Sequence, residues 1–144
     1  MEVRIEPAHA DDLPAIETLL EDSGLPRAEI ERHLGAAVVA RAGTHLVGSA
    51  AVELYGPAGL LRSVAVASER RGQGLGRQLT NAALELARRR GVRHLYLLTE
   101  TAGEFFPRFG FRTIPRTAVA PAVQQSIEFT RACPASAIAM VTEL

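Results

Sequence analysis

The chain of 144 residues balances 16 acidic residues against 16 arginines and contains no lysine, so its formal net charge is zero. This balance excludes the large positive excess that marks a nucleic-acid-binding protein. No apolar run approaches the ~20 residues of a membrane span, and the length predicts a single domain over residues 1–144 with one core.

The hydrophobic spacing predicts an alternation of strands and helices along the chain. Strands are predicted at residues 3–6, 36–41, 45–54, 60–67, 94–99, 111–114 and 135–141. Helices are predicted between Asp11 and Gly24 and at residues 26–34, 73–90, 102–109 and 121–131. Three strands follow one another with only turns between them, so the order indicates a mixed sheet rather than a doubly wound parallel one.

The most informative segment is the glycine-rich turn at residues 71–76, Arg-Gly-Gln-Gly-Leu-Gly, between the fourth strand and the helix that follows. The first amides of a helix have no partners within the helix and carry partial positive charge. Glycines let a phosphate approach these amides, and arginines such as Arg70 add charge-assisted hydrogen bonds. The pattern therefore predicts a diphosphate site on Arg71, Gly72, Gln73, Gly74, Leu75, Gly76 and Arg77.

Two other phosphate-binding loops compete with this interpretation. A P-loop requires a lysine that reaches the terminal phosphates, and the chain has none. The dinucleotide fingerprint Gly-x-Gly-x-x-Gly begins at Gly74 and Gly76 but meets Leu79 where the third glycine belongs. Glu100 lies roughly where that motif places its ribose-binding acid, so the dinucleotide alternative is weakened and stays open.

Two signatures together resemble the GNAT N-acetyltransferase superfamily. Arg71-x-x-Gly74-x-Gly76, after the strand end Val64-Ala65-Val66, is similar to its acetyl-CoA loop. Residues 102–111, Ala-Gly-Glu-Phe-Phe-Pro-Arg-Phe-Gly-Phe, resemble its segment after the fifth strand, and the likeness runs from Val3 to Met140. The resemblance implies an α/β fold of the mixed α+β kind. Its mostly antiparallel central sheet has six to seven strands and flanking helices, and its fourth and fifth strands are splayed apart.

The resemblance also implies an acyltransferase that uses acetyl-CoA as co-substrate and acetylates the primary amine of a small molecule by direct transfer in a ternary complex. In the superfamily the pantetheine arm pairs with the main chain of the fourth strand, here Val64, Ala65 and Val66. One of their amides is the candidate oxyanion donor. Thr99 and Phe105 are further cofactor candidates. No metal, nucleic acid or membrane partner is expected, and a homodimer is common among such proteins.

One departure from the family pattern concerns the proton for the leaving thiol. Many members have a tyrosine where this chain has Phe106, and a phenylalanine cannot donate a proton. A water, Thr99 or Thr101 are alternative donors, and a thiol with a pKa near ~8.5 is a tolerable leaving group without one. The departure keeps a second hypothesis open, in which the domain is an acyl-CoA-binding sensor or regulatory module with little catalysis.

The acceptor side offers two carboxylates and one unusual cation. Glu53, near the end of the third strand, and Glu100, at the end of the fifth, are candidate general bases facing the acceptor. Arg62 stands inside an apolar strand, where an unpaired charge is costly. It is expected either to bind an acidic group of the acceptor or to form a structural pair with Glu53 or Glu100. Ser63 and Phe106 are further acceptor-side candidates.

A closer resemblance, to small GNAT proteins associated with arsenic resistance, comes from three segments at residues 61–66, 97–102 and 133–137. It implies an acceptor such as an amino acid or an arsenic- or phosphorus-containing analogue. The single cysteine, Cys133, excludes an internal disulfide and a cysteine zinc cluster, and is expected in or near the core. The polar segment 1–10 does not read as a signal peptide, so a cytoplasmic location is expected.

Overall fold

Seven strands form one sheet in the computed structural model, which describes residues 2–100, 102–132 and 135–144. The strands are β1 (Val3–Pro7), β2 (Ala37–Ala42), β3 (His45–Tyr55), β4 (Ala58–Val66), β5 (His94–Thr99), β6 (Arg112–Ile114) and β7 (Ile138–Glu143). The regular helices are α1 (Leu13–Asp22) and α2 (Leu75–Arg89). The sheet order is β1-β2-β3-β4-β5-β7-β6, and the β4–β5 pair is parallel whereas the others are antiparallel. The predicted mixed, mostly antiparallel sheet is confirmed.

The two helices cover opposite faces of the sheet. Alternate residues of a strand point to opposite faces, and β2 shows this directly. Val38 and Ala40 pack in the cluster that contains α2, whereas Val39 packs in the cluster that contains α1. Both faces of β2 are therefore buried, which explains its continuous apolar sequence.

The β4–β5 pair is the feature that creates the site. Ladder pairing joins residues 58–60 of β4 to residues 94–96 of β5 and stops there. The last residues of β5 continue to pair with β7, from Leu97 to Thr99. Beyond Leu60, within the described residues, β4 has no ladder partner on its β5 side. The predicted splay is thus present, and it leaves one edge of β4 facing a gap.

A bulge in β4 lies at this gap. Ser49 of β3 pairs with Ala65, while Ala51 pairs with Arg62, so β4 carries one extra residue between the two pairs. Ser63 has φ +60°, an uncommon value for a residue other than glycine. The Ser49 hydroxyl donates to the Ser63 carbonyl at 2.7 Å and anchors this bend to β3.

Three predicted helices are not regular α-helices. The segment 26–34 is replaced by a 3-10 helix at Ile30–Ala36, and 102–109 by a 3-10 helix at Phe106–Phe109. The segment 121–131 divides into a 3-10 turn at Val123–Gln125 and a π-helical turn at Glu128–Ala132.

Side chains that compete with helical hydrogen bonding explain the break in the last of these segments. The Ser126 hydroxyl accepts from the Glu128 amide at 3.1 Å, and the Thr130 hydroxyl donates to the Ser126 carbonyl at 3.0 Å. In the middle segment, Gly103 and Pro107 disfavour a regular helix. The strand boundaries also shift: β4 begins at Ala58 rather than residue 60, and β7 at Ile138 rather than residue 135.

Candidate active site

A cleft of about 1000 Å³ opens where β4 and β5 diverge. Residues 61–66 of β4 and 97–99 of β5 line its two sides, and the turn that precedes α2 lies along it. Residues 23–26 after α1 and Glu128 also contribute to its lining. The splay therefore brings the glycine-rich turn and Arg62 of β4 into one cavity.

The glycine-rich turn, residues 71–76, is open toward the cleft. Gly72 and Gly74 have φ values of +80° and +83°, which favour glycine, and a Cβ atom at either position would meet no atom within 4 Å. Gly74 is the N-cap of α2, so the first amides of that helix begin beside this open space. Such a turn provides main-chain donors to an anion without side chains in the way.

Arginine side chains surround this turn. Arg70, Arg71 and Arg77 line the cleft, and the last two are exposed. The Arg71 Nε–H donates to the Val66 carbonyl at 3.1 Å, which ties the turn to the end of β4. The guanidinium groups thus add positive charge where the helix amides already favour an anion.

Most residues expected to hold a cofactor do line the cleft. They are Val64, Ala65, Val66, Arg71, Gly72, Gly74, Leu75, Gly76, Arg77, Thr99 and Phe105. The Leu75 side chain is buried in the core, so only its main chain is available to a ligand. Gln73 is exposed and does not belong to the lining. The Thr99 hydroxyl accepts from the Ala102 amide at 3.0 Å and retains its own proton for donation.

The phenylalanines after β5 form one packed group beside the turn. The ring of Phe105 lies 3.5 Å from the point where a Cβ of Gly76 would stand, which is an ordinary contact distance, so this ring packs directly beside the turn. Phe106 meets Phe105 edge-on at 5.1 Å between centroids and Phe111 at 5.7 Å. Phe106 is 7% exposed and lines the cleft with a purely apolar ring.

Arg62 forms the structural pair with Glu53. Its Nη1 lies 2.9 Å from Glu53 Oε2, its Nε donates to the Ser63 hydroxyl at 3.1 Å, and the side chain is 0% exposed. The remaining nitrogen, Nη2, has no hydrogen-bond partner among the described residues. Arg62 is thus fixed on one side by β3 and β4, while one donor remains unused.

The expectation that Glu53 faces the acceptor is wrong, because it is 1% exposed and its oxygens are committed within the protein. The Tyr55 hydroxyl donates to Glu53 Oε1 at 2.5 Å, and His33 Nε2 lies 3.6 Å from Oε2. Burial alone would raise the pKa of Glu53, but hydrogen bonds from Ser126, Tyr55 and Arg62 outweigh it and hold this pKa below its ordinary value. A carboxylate so strongly stabilised is a poor proton acceptor.

Glu100 lies at the cleft but near solvent. It is exposed, lines the cavity at the end of β5, and accepts a long hydrogen bond of 3.4 Å from the Ser136 hydroxyl. Ser63 is buried in the bulge and also lines the cleft. Of the two carboxylates predicted from sequence, only Glu100 is accessible from the cavity.

Glu128 is the residue that the sequence interpretation missed. It is 6% exposed, lines the cleft, and its Oε2 lies 3.9 Å from Arg62 Nη2, beyond hydrogen-bond distance. Burial raises the pKa of Glu128 to about 7, with Glu53 adding to the shift and Arg62 opposing it. The sequence signal was the same as for Arg62: a single charge within an uncharged, partly apolar stretch, residues 121–130.

The remaining expectations concern a metal site, residues outside the described part of the chain, and a membrane span. Within the described residues, no cluster of three or more histidine, cysteine or acidic side chains forms a metal site. Cys133 and Thr101 lie outside the described residues. Over the described ranges, no helix is long and apolar enough to cross a membrane.

The raised pKa of Glu128 predicts a specific dependence of stability on pH. A carboxyl whose pKa is higher in the folded protein than its unfolded value of 4.5 favours the folded state when it is protonated. Its contribution to the free energy of unfolding is therefore complete below about pH 4.5 and is lost as the pH rises through about 7. Glu128→Gln, which mimics the neutral form, is therefore expected to increase the free energy of unfolding by roughly 2 to 4 kcal/mol above about pH 8. The gain should vanish below about pH 4.5. Urea unfolding of both proteins across this range measures it, and a pH-independent difference would contradict the assignment.

Comparison with known proteins agrees with this architecture. The family model described as Acetyltransferase (GNAT) domain matches residues 33–113, more than half of the chain. The amino-acid acetyltransferases of two Neisseria meningitidis strains, of serogroups A and B, are 30% identical over 120 residues. That match covers 77% of this chain and 28% of the relatives, so the chain spans little more than a quarter of their length.

Solved structures share the fold. N-acetylglutamate synthase from Neisseria gonorrhoeae, complexed with coenzyme A and N-acetyl-glutamate, has a TM-score of 0.83 at 24% identity, over 100% of this chain and 35% of its own. Rv2747 from Mycobacterium tuberculosis, solved with CoA, has a TM-score of 0.83 at 22% identity, over 98% and 99%. Together with the matching family model, the splayed strands and the glycine-rich turn identify this chain as a member of the GNAT acetyltransferase family.

Proposed function

We propose that this domain is an N-acetyltransferase that uses acetyl-CoA to acetylate the primary amine of a small molecule while both substrates are bound. The single observation that carries the proposal is the cleft itself. It joins the free edge of β4 to the open turn before α2, so that one cavity has main-chain donors for an elongated ligand and for its anionic end.

The residues of this cleft suit the chemistry of CoA. The amides of residues 72–76, with Arg70, Arg71 and Arg77, would hold the diphosphate. The unpaired edge of β4 at Val64, Ala65 and Val66 would pair with the amides of the pantetheine arm, and one of its N–H groups would stabilise the oxyanion. When bound, acetyl-CoA supplies the acetyl thioester that is the acyl donor. Similar proteins solved with coenzyme A support this use of the cleft.

An acidic acceptor is favoured by the unused donor of Arg62. A guanidinium donates charge-assisted hydrogen bonds to a carboxylate. Nη2 of Arg62 has no partner among the described residues, whereas Nη1 and Nε bind Glu53 and Ser63. The curated relatives named amino-acid acetyltransferases support an amino acid as the acceptor. An arsenic- or phosphorus-containing amino-acid analogue presents the same carboxylate and amine, and belongs to the same proposed class.

The apolar ring of Phe106 means that this residue does not protonate the departing sulfur. A thiol with a pKa near ~8.5 leaves readily as the thiolate, so the reaction does not require a tyrosine there. The same substitution motivates the second hypothesis, a CoA-binding module with little catalysis. The two differ in one measurable respect, namely whether an amine triggers release of the thiol.

Replacement of Gly74 tests the turn. Gly74→Val forces a branched side chain into a left-handed conformation at the start of α2, and is expected to weaken acetyl-CoA binding by at least about tenfold. Gly56→Val is the matched control, because Gly56 has φ +69° and open space around it but does not line the cleft. Calorimetric titration with acetyl-CoA measures both. Equal losses in the two variants would show that the effect comes from backbone strain alone.

Replacement of Arg62 tests the acceptor side, and lysine is the informative choice. Alanine would leave Glu53 buried without its cation, which commonly destabilises a protein by about 3–5 kcal/mol. Arg62→Lys retains the charge but loses the planar fork, so the KM for the acceptor should rise by at least about tenfold. The KM for acetyl-CoA should change by less than about twofold. Equal increases in both constants would argue against carboxylate binding.

An acceptor screen tests the whole proposal. Thiol release from acetyl-CoA is measured with the twenty L-amino acids, phosphinothricin, spermidine, an aminoglycoside and a peptide with a free N-terminus. We expect release that depends on the acceptor and is largest among amino acids. Tight CoA binding without acceptor-dependent release would favour the regulatory module, and binding of NAD in preference to CoA would favour the dinucleotide alternative.

Light scattering on the same sample measures whether the domain is the expected homodimer.

A further inference from the structure

Two unsatisfied polar atoms lie close together in residues that line the cleft. Arg62 Nη2 and Glu128 Oε2 are 3.9 Å apart, and neither has a hydrogen-bond partner among the described residues. Both side chains are at least nine-tenths buried, and both residues line the cavity. An unsatisfied buried donor and acceptor are costly for a fold, and a catalytic role is one of the reasons for which a protein keeps them.

Glu128 forms only a long ion pair with Arg62, at 3.9 Å and without a hydrogen bond. Arg62 already has a carboxylate partner in Glu53 at 2.9 Å, so its charge is balanced without Glu128. The position of Glu128 is set by its main chain, whose amide donates to the Ser126 hydroxyl at 3.1 Å. The second carboxylate is therefore held close to an arginine without a hydrogen bond to it, so its buried Oε2 is left unsatisfied in a residue that lines the cleft.

We propose that Glu128 is a catalytic residue, which binds the amino group of the acceptor and removes its proton. This inference rests on the proposed N-acetyltransferase function. Arg62 Nη2 would bind the carboxylate of the same acceptor, so the two residues together would recognise an ammonium and a carboxylate attached to the same carbon. A polyamine has ammonium groups for Glu128 but no carboxylate for Arg62. An α-amino acid has both and is therefore the preferred class of acceptor.

The charges around Glu128 suit a proton acceptor near neutral pH. Arg62 on β4 and Glu53 on β3 act on it with opposite signs, and burial raises its pKa to about 7. Burial lowers the pKa of His33, which lies beside Glu53, and raises that of Tyr55 to about 12, so both remain neutral near pH 7. A base with a pKa near the working pH is the most effective one.

The proton balance is complete without a further reactant. The acceptor enters as an ammonium ion, and one of its protons passes to the Glu128 carboxylate. The free amine then forms the N–C bond to the thioester carbonyl, and collapse of the tetrahedral adduct breaks the C–S bond. The second amine proton ends on the departing thiolate, giving the amide and a free thiol. Glu128 returns its proton to solvent.

Kinetics as a function of pH tests the role directly. With the best acceptor among the twenty L-amino acids and phosphinothricin, kcat/KM of the wild type should rise with pH to a plateau above about pH 7. Glu128→Gln should lower kcat at about pH 7 by at least about 100-fold and move the rising limb to alkaline pH, where the acceptor loses its proton unaided. Glu128→Asp, which keeps a carboxylate, should retain part of the rate and a limb near neutral pH.

Two control variants separate this role from general effects of charge. Glu85→Gln removes an exposed carboxylate of α2 that pairs with Arg88, and should leave the rate and its pH profile unchanged. Glu100→Gln removes the other carboxylate of the cleft and should also retain the limb near neutral pH. Loss of that limb in Glu100→Gln, with Glu128→Gln unaffected, would overturn the proposal and assign the base to Glu100.

Proton release on binding is a readout that does not depend on turnover. The same amino-acid acceptor is titrated into the protein saturated with CoA, in buffers of different ionisation enthalpy at about pH 7. An ammonium ion binding to Glu128 should expel about half a proton per acceptor in the wild type, because this carboxyl is half protonated there. Glu128→Gln should expel none.

The outcomes distinguish failure of this inference from failure of the proposed function. Wild-type rates and proton release in Glu128→Gln, together with acceptor-dependent thiol release, would overturn the role of Glu128 and leave the N-acetyltransferase intact. Absence of thiol release with every acceptor in the wild type would overturn both. Unchanged acetyl-CoA affinity in Glu128→Gln, measured by calorimetry, shows that a lost rate does not come from a lost cofactor site.

Discussion

The divergence of β4 from β5 is the constraint on which the site depends. β4 is held to β3 instead, by the buried Arg62–Glu53 pair and by the hydrogen bond from the Ser49 hydroxyl to the Ser63 carbonyl. The extra residue at Ser63 bends the strand at the point where pairing with β5 has ended. These polar contacts fix β4 against β3 beyond the point where its pairing with β5 has ended.

The same buried contacts connect the architecture to the chemistry. Arg62 anchors β4 with Nη1 and Nε, and its Nη2 has no hydrogen-bond partner among the described residues. Glu53 and Glu128 lie on two sides of one guanidinium, yet their surroundings move their pKa values in opposite directions. Hydrogen bonds keep the pKa of Glu53 low and make it structural, whereas burial without such bonds raises the pKa of Glu128. Two carboxylates around one cation thus acquire different properties from their local partners alone.

Much of the fold follows from the sequence because it depends on local periodicity. The strands and α2 have regular apolar spacing, and Gly74 with Gly76 indicates both the turn and the helix that follows it. The segment 121–131 has similar apolar spacing, but the hydroxyls of Ser126 and Thr130 take the hydrogen bonds that a regular helix would use. Arg62 was recognisable as unusual from its apolar strand. The sequence did not indicate which carboxylate lines the cleft. Glu53 and Glu128 are separated by 75 residues, and their roles depend on tertiary packing.

We propose that the gap between β4 and β5, with the turn at residues 71–76, holds acetyl-CoA. A crystal structure of the protein with CoA tests this binding mode directly. We expect the diphosphate within hydrogen-bond distance of the amides of residues 72–76, and the pantetheine arm paired with the main chain of residues 64–66. A cleft that stays empty at saturating CoA, or a CoA molecule bound elsewhere on the protein, would contradict it.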